Sequence, residues 1–233
     1  MRRYSRISTV VVAITVALLA TACASGAPPT AVRSTTPEAV LSGTHDLKAG
    51  TYAFTFPQFD APGKRFPKAW ITVPDGWTIN GGFALASQFE LSRSLVVTIW
   101  DVADVYINGC HWLGPKIHPG PTAAELAAVL AGRPLRHATA PVAVSLGGYQ
   151  GKYLQWSVPV NADFTTCDGS KFMSWYDGEG GDRYQQGPGQ VDRLWILDIE
   201  GHRLVVDATY LPDATESDRA VLSTVVSSIV FKA

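Results

Sequence analysis

The chain has 233 residues, 19 Lys+Arg against 20 Asp+Glu for a formal charge of −1, and 46% hydrophobic residues. That balance supplies neither the basic stripe that nucleic acid requires nor an electrostatic hold on anionic lipid headgroups, so neither is expected as a partner on charge grounds. The cysteines are Cys23, Cys110 and Cys167.

Residues 1–22 open with Met1, Arg2, Arg3 and Arg6, continue as an apolar run from Ile7 to Ala20, and end in small residues before Cys23. So short a run does not comfortably cross roughly 30 Å of hydrocarbon, and no charge cluster follows to stop transfer; a secretory signal peptide is expected, not a membrane span. The stretch Leu18-Leu19-Ala20-Thr21-Ala22-Cys23 resembles the lipobox of bacterial lipoprotein leaders, although Ala20 stands where leucine is usual. The resemblance implies cleavage before Cys23, acylation of its thiol by chains such as palmitate, and anchorage at the extracytoplasmic face of the cell membrane. Simple secretion is the alternative. Losing the leader with its three arginines leaves 211 residues, 16 basic against 20 acidic, a charge of about −4. The lipid must then do the holding, at about 0.8 kcal/mol per buried CH₂, and two chains anchor stably where one is marginal.

Residues 23–46 are expected to be the lipidated cysteine followed by a disordered tether, because Ala, Ser, Thr, Pro and Gly dominate and no period appears. A coil of about 20 residues spans about 25 Å. The remainder, 47–233, suits one domain. In an extracytoplasmic compartment Cys110 and Cys167 are expected to be bonded, a bridge for which chain entropy gives about 4 kcal/mol. Two buried free thiols are the alternative.

Within the domain, Thr51 to Phe59 alternates with aromatics and reads as a strand. Ala69 to Val73 is a second strand, stopped by the turn Pro74-Asp75-Gly76, after which Trp77 begins a new segment. Leu95 to Val102 is apolar on both alternating faces and needs cover on each. Thr122 and Glu125 form a capping box before Ala123 to Leu130, whose Ala123, Leu126, Ala127 and Leu130 share a helical face ended by Gly132 and Pro134. Pro141 to Leu146 and Gln150 to Pro159 are two strands about Gly147-Gly148. Asn161 to Gln190 is polar and Gly-rich, with one short strand at Phe172 to Trp175, and a stretch that long calls for a staple. Arg193 to Ile199 and His202 to Leu211 form a hairpin about Glu200-Gly201, with Asp207 the lone acid in the second strand. Thr215 and Asp218 cap a last helix whose Val221, Leu222, Val225, Val226, Ile229 and Val230 make one apolar stripe. The expected class is α+β, a mostly antiparallel sheet flanked by helices.

Val73-Pro74-Asp75-Gly76-Trp77, Gly147-Gly148-Tyr149-Gln150-Gly151-Lys152-Tyr153 and a final hairpin plus helix ending Ser227-Ser228-Ile229 resemble the PsbP/Mog1-like fold, and more closely a group of secreted domains of unknown function from high-GC Gram-positive bacteria. The resemblance covers residues 47 to 231. It implies an α/β/α sandwich about an antiparallel sheet, used for binding or assembly in place of catalysis. It carries over no metal ligands, because the matching motifs are turns and core positions.

The chain has no Gly-x-Ser-x-Gly elbow, His-Glu-x-x-His, phosphate loop or dinucleotide fingerprint. Asp177, Glu179 and Asp182, alternating with glycine, form a weak Ca²⁺ candidate that fails the EF-hand spacing; a solvated loop is the plainer expectation. His111 and His118 beside Cys110 suit zinc only if the cysteines stay reduced. Trp112, Trp175 and Tyr184, with Gln185, Gln186 and Gln190, offer flat faces and amides for a sugar, a peptide or another polar small molecule if the Cys110–Cys167 bridge gathers them, or else are satellite core. Asp207 is either a buried acid with a raised pKa or the partner of Arg193 or Arg203. The expectation is a non-enzymatic lipoprotein without cofactor, binding an unknown protein or small polar ligand. The alternatives are an envelope hydrolase using Asp207 or Asp177, and an envelope assembly factor or chaperone marked by an exposed apolar patch.

Overall fold

The computed structural model describes residues 39–233, so the expected leader (1–22), Cys23 and the tether up to residue 38 lie outside the described residues. The first elements are Ala39–Val40 (β1) and His45–Leu47 (β2). β1 runs parallel to the next strand, Gly50–Phe54 (β3), while Leu41 and Leu47 are buried. The folded unit therefore starts before residue 47 and takes in part of the expected tether. A two-residue edge strand needs only its backbone groups, which composition does not reveal.

β3 is shorter than the alternation of residues 51 to 59 suggests, because Pro57 has no N–H to donate and opens a 3-10 turn over Pro57–Phe59. Lys68–Val73 (β4) pairs with β3. Gly76 then adopts φ 82°, a left-handed conformation natural to glycine, and the chain turns into Trp77–Asn80 (β5), Ala84–Ser87 (β6) and Leu95–Trp100 (β7). Asp104–Tyr106 (β8) and Lys116–Ile117 (β9) precede Ala123–Ala131 (α1). The capping box is present there: the Glu125 N–H donates to Thr122 Oγ1 at 3.3 Å and the Thr122 N–H donates to Glu125 Oε2 at 3.0 Å. At the other end of α1 the Trp156 indole N–H donates to the Leu130 carbonyl at 3.0 Å.

Val142–Leu146 (β10) and Tyr149–Ser157 (β11) form a hairpin. The Gly-rich stretch that follows is more regular than expected, with 3-10 turns at Phe164–Thr166 and Asp168–Ser170, then Met173–Tyr176 (β12) and Asp182–Tyr184 (β13). Cys110 and Cys167 are bonded, with Cα atoms 4.4 Å apart. Val191–Ile199 (β14) and His202–Tyr210 (β15) are the long hairpin. Glu216–Ser227 (α2) and Val230–Lys232 (β16) close the chain. The apolar stripe expected to run through Ile229 and Val230 on one helix is split. The Ser228 hydroxyl accepts from the Thr72 N–H at 2.8 Å, and the chain beyond it pairs with the edge of β4, leaving Val230 46% exposed.

The large sheet has the order β10-β11-β14-β15-β7-β6-β5-β2 and is antiparallel throughout. One face packs against α2 and a second sheet, β1-β3-β4-β16, in a core that includes Ile71, Trp77, Val97, Leu197, Val206 and Leu222. The other face packs against α1 and part of a third sheet, β13-β12-β8-β9, through Leu126, Leu154, Trp156, Trp175, Ile196 and Val205. Each such side chain contributes about 1.5–3 kcal/mol by leaving water. The class is α+β with mostly antiparallel sheets, and each outer layer is one helix sharing its face with a small sheet. No helix among the described residues is long and apolar enough to cross a membrane.

Candidate functional site

The cover on the second face of the large sheet is incomplete. α1 lies over β11 and β14, while most residues that β5, β6 and β7 project on that side are short: Asn80, Ala84, Ala86, Val96 and Thr98, with Trp100 the large exception. The result is a cavity of about 620 Å³, within the range of small-molecule sites. Phe83 and Trp100 form one wall, their rings meeting edge to face at 6.3 Å. The Trp100 indole N–H donates to Thr98 Oγ1 at 2.7 Å. The segment from Asp177 to Gln186 also lines the cavity, through Asp177, Glu179, Asp182, Arg183, Tyr184 and Gln186.

Alternation decides which of these groups are free. In β13 the sequence Asp182-Arg183-Tyr184 reads exposed, buried, exposed. Arg183 turns in to a polar cluster on the sheet: Nε donates to Asp207 Oδ2 at 2.7 Å, and Nη2 donates to Asp192 Oδ1 at 3.0 Å and to Thr209 Oγ1 at 2.8 Å. Its Nη1 donates to the Tyr184 carbonyl. Gln190 extends the cluster, giving Nε2–H to Asp192 at 2.7 Å and accepting the Gln186 N–H at 2.7 Å. Burial raises the Asp207 carboxyl to about 6; Arg183 pulls it down and the Asp192 charge pushes it further up. Burial also opposes the charge of Arg183, but Asp207 and Asp192 outweigh it and hold the guanidinium above its ordinary value. Both directions follow from one cation serving two buried carboxylates.

Asp207 therefore pairs with Arg183, neither with Arg193 nor with Arg203. Arg193 donates to Ser223 Oγ at 2.8 Å, and Arg203 to the Gly120 and Val102 carbonyls. Asp207 lies behind Arg183 and is absent from the cavity lining, so it cannot meet a ligand there. Asp177 does line the cavity, but its Oδ1 accepts the Glu179 and Gly181 N–H groups at 2.8 Å each and holds the turn.

Of the six aromatic and amide candidates, the structure brings Tyr184 and Gln186 to the cavity. Trp175, register partner of Arg183, is fully buried and packs edge-on to Trp100 at 6.0 Å. Trp112 stands beside the disulfide, donating to the Asp168 carbonyl at 2.6 Å, away from the cavity lining. Gln185 is buried and donates to Ser174 Oγ at 2.6 Å, and Gln190 is buried in the cluster above. The Asp177, Glu179 and Asp182 carboxylates all line the cavity, but Asp182 accepts from the Tyr106 hydroxyl at 2.5 Å and Asp177 is occupied in its turn. His111 and His118 lean toward different acids, Asp168 at 3.6 Å and Asp104 at 3.2 Å, and the Cys110 sulfur is spent in the bridge, so the zinc set does not assemble. Among the described residues no group of three or more His, Cys, Asp or Glu is placed to hold a metal.

Asp101, Trp100, Phe83 and the alanine floor line the cavity without having been among the candidate site residues of the sequence. The signal for the last was present: Ala84 and Ala86 alternate with Leu85 and Ser87, a strand with one face too small to fill a core. An α+β domain whose central sheet is left open on one side as a ligand-sized cavity is the class this geometry defines. No family model matches the chain, and no curated protein does. Among solved structures it is similar to LpqN of Mycobacterium tuberculosis, described as involved in cell envelope biogenesis, at 12% identity with 79% of this chain and 91% of that one covered and a TM-score of 0.40. It is also similar to the PsbP protein CyanoP of Synechocystis, at 15% identity with 79% and 94% covered and a TM-score of 0.36. Both scores are low, and the correspondence with either fold is loose.

Proposed function

We propose that this protein is a lipid-anchored domain at the extracytoplasmic face of the cell membrane, of PsbP/Mog1-like type, which binds a small polar ligand in the cavity over β5–β7 without transforming it. The observation that carries the reading is the cavity itself: about 620 Å³, an apolar floor, aromatic walls and a few polar groups on one side, the composition expected of a small-molecule site. The Cys110–Cys167 disulfide supports the compartment, since such bonds persist where the surroundings are oxidising. The lipobox at Cys23 supports the anchor.

Thermal unfolding of the oxidised mature protein against amines, sugars, short peptides and lipids tests the binding role. A ligand held at a hundredfold over its Kd stabilises by about 2.7 kcal/mol, a rise of roughly 5 to 11 °C for a domain of this size. No shift with any class would refute a small-molecule role and point to a protein partner. Mass spectrometry of the membrane fraction tests the anchor: an unacylated Cys23 in secreted protein would overturn it.

A further inference from the structure

We infer that the cavity takes a small organic cation, a protonated amine or guanidinium carried on an apolar body. The inference deepens the binding reading above and rests on it.

Asp101, Asp177, Glu179 and Asp182 all contribute to the lining, and Arg183 is the one basic residue among the described lining residues. Its charge is already taken by Asp207 and Asp192. The lining thus carries more acidic than basic groups. Two of the four carboxylates also lack hydrogen-bond partners among the described residues. Asp177 and Asp182 accept from the protein, whereas the Asp101 and Glu179 carboxylates accept no hydrogen bond and form no ion pair among the described residues. Arg203, which with His202 acts on Asp101, gives its hydrogen bonds to the Gly120 and Val102 carbonyls. Burial holds the half-buried Asp101 carboxyl above its ordinary value; Arg203 and His202 pull it down, the nearby Glu179 and Asp177 charges push it further up, and a ligand cation would offset those two like charges.

The rest of the lining says what kind of cation. A bare metal ion wants several converging oxygens and would leave the Ala84, Ala86 and Val96 floor unused. An anion would meet four carboxylates. An alkyl- or arylammonium can lay its body on the floor, between Phe83, Trp100 and Tyr184, and its charge toward Asp101 and Glu179, where aromatic faces attract it as well.

Titration calorimetry of the full oxidised chain near neutral pH with phenylbutylamine, phenylbutanol and phenylbutyrate, matched in shape and different in charge, tests this. The amine is expected to bind at least ~10-fold more tightly than the carboxylate, with the alcohol between them, and the gap is expected to shrink at high salt. Asp101→Asn with Glu179→Gln should bring the amine to within about twofold of the alcohol and leave the alcohol unchanged. Ala86→Trp, or Ala84→Leu if the tryptophan is not tolerated, should weaken all three by filling the floor. If the three bind equally, or the carboxylate binds best, and the floor variant still blocks them, the charge inference falls and the cavity reading survives. If none of the three produces heat, or the floor variant changes nothing, the cavity reading falls with it. A lysine-rich peptide binding more tightly than the amine at this cavity would replace the small cation with a protein segment.

Discussion

Arg183 Nε donates to Asp207 Oδ2 at 2.7 Å while its Nη2 donates to Asp192 Oδ1 at 3.0 Å, so two buried carboxylates share a single guanidinium behind the cavity wall. Removing that cation leaves both acids buried and uncompensated. Arg183→Met should therefore cost about 3–5 kcal/mol. Asp207→Asn removes the surplus negative charge and keeps an acceptor for Arg183, so it should cost much less. Urea unfolding of both variants checks the order, and equal losses would mean that the cluster is not held by charge.

The same cluster sets a pH dependence. The folded Asp207 value, about 6, lies above the roughly 3.9 of an unfolded chain. Between those values the folded protein holds more protons, so stability rises as pH falls from neutral through about 6 and is lost as pH rises back through it. The carboxyls of Asp60, Glu125, Asp163, Glu200 and Asp218 are held below their ordinary values, and their opposing effect comes only at more acid pH. Melting midpoints should climb between neutral pH and about 5, and Asp207→Asn should flatten that climb.

The bridge from Cys110 to Cys167 ties the loop after β8 to the turns before β12, and the Asp168 N–H donates to the Cys110 carbonyl at 2.8 Å beside it. Reduction, or replacement of both cysteines by serine, should cost about 4 kcal/mol. Hydrogen exchange should quicken first in residues 164 to 176, because that segment gains much of its order from the bridge.

A Cβ built on Gly151 would lie 1.9 Å from the Ile196 carbonyl oxygen on the neighbouring strand. Backbone cannot move aside as a flexible side chain would. Gly151→Ala should part β11 from β14 locally and cost about 1–3 kcal/mol or more, visible as a lowered unfolding midpoint.

Local sequence determined much of this protein. The capping box at Thr122 and Glu125, the turns at Gly76 and Glu200-Gly201, and the apolar runs that pair as β14 and β15 depend on neighbours a few residues away, and they are present as expected. The pairing of Cys110 with Cys167 is present as expected, an expectation that set Cys23 aside as the residue of the lipobox. Local pattern misled where contacts are distant. Val230 keeps a helical spacing but leaves the helix because β4 offers it an open edge, and Ala39–Val40 becomes a strand only because β3 lies beside it. The site was the least legible part. Which face of β13 holds Arg183, which acid it meets and whether Trp175 lines a rim or fills a core are set by register across strands far apart in sequence. The cavity exists because the cover from α1 stops short of β5–β7, and no single segment carries a record of where its neighbours end.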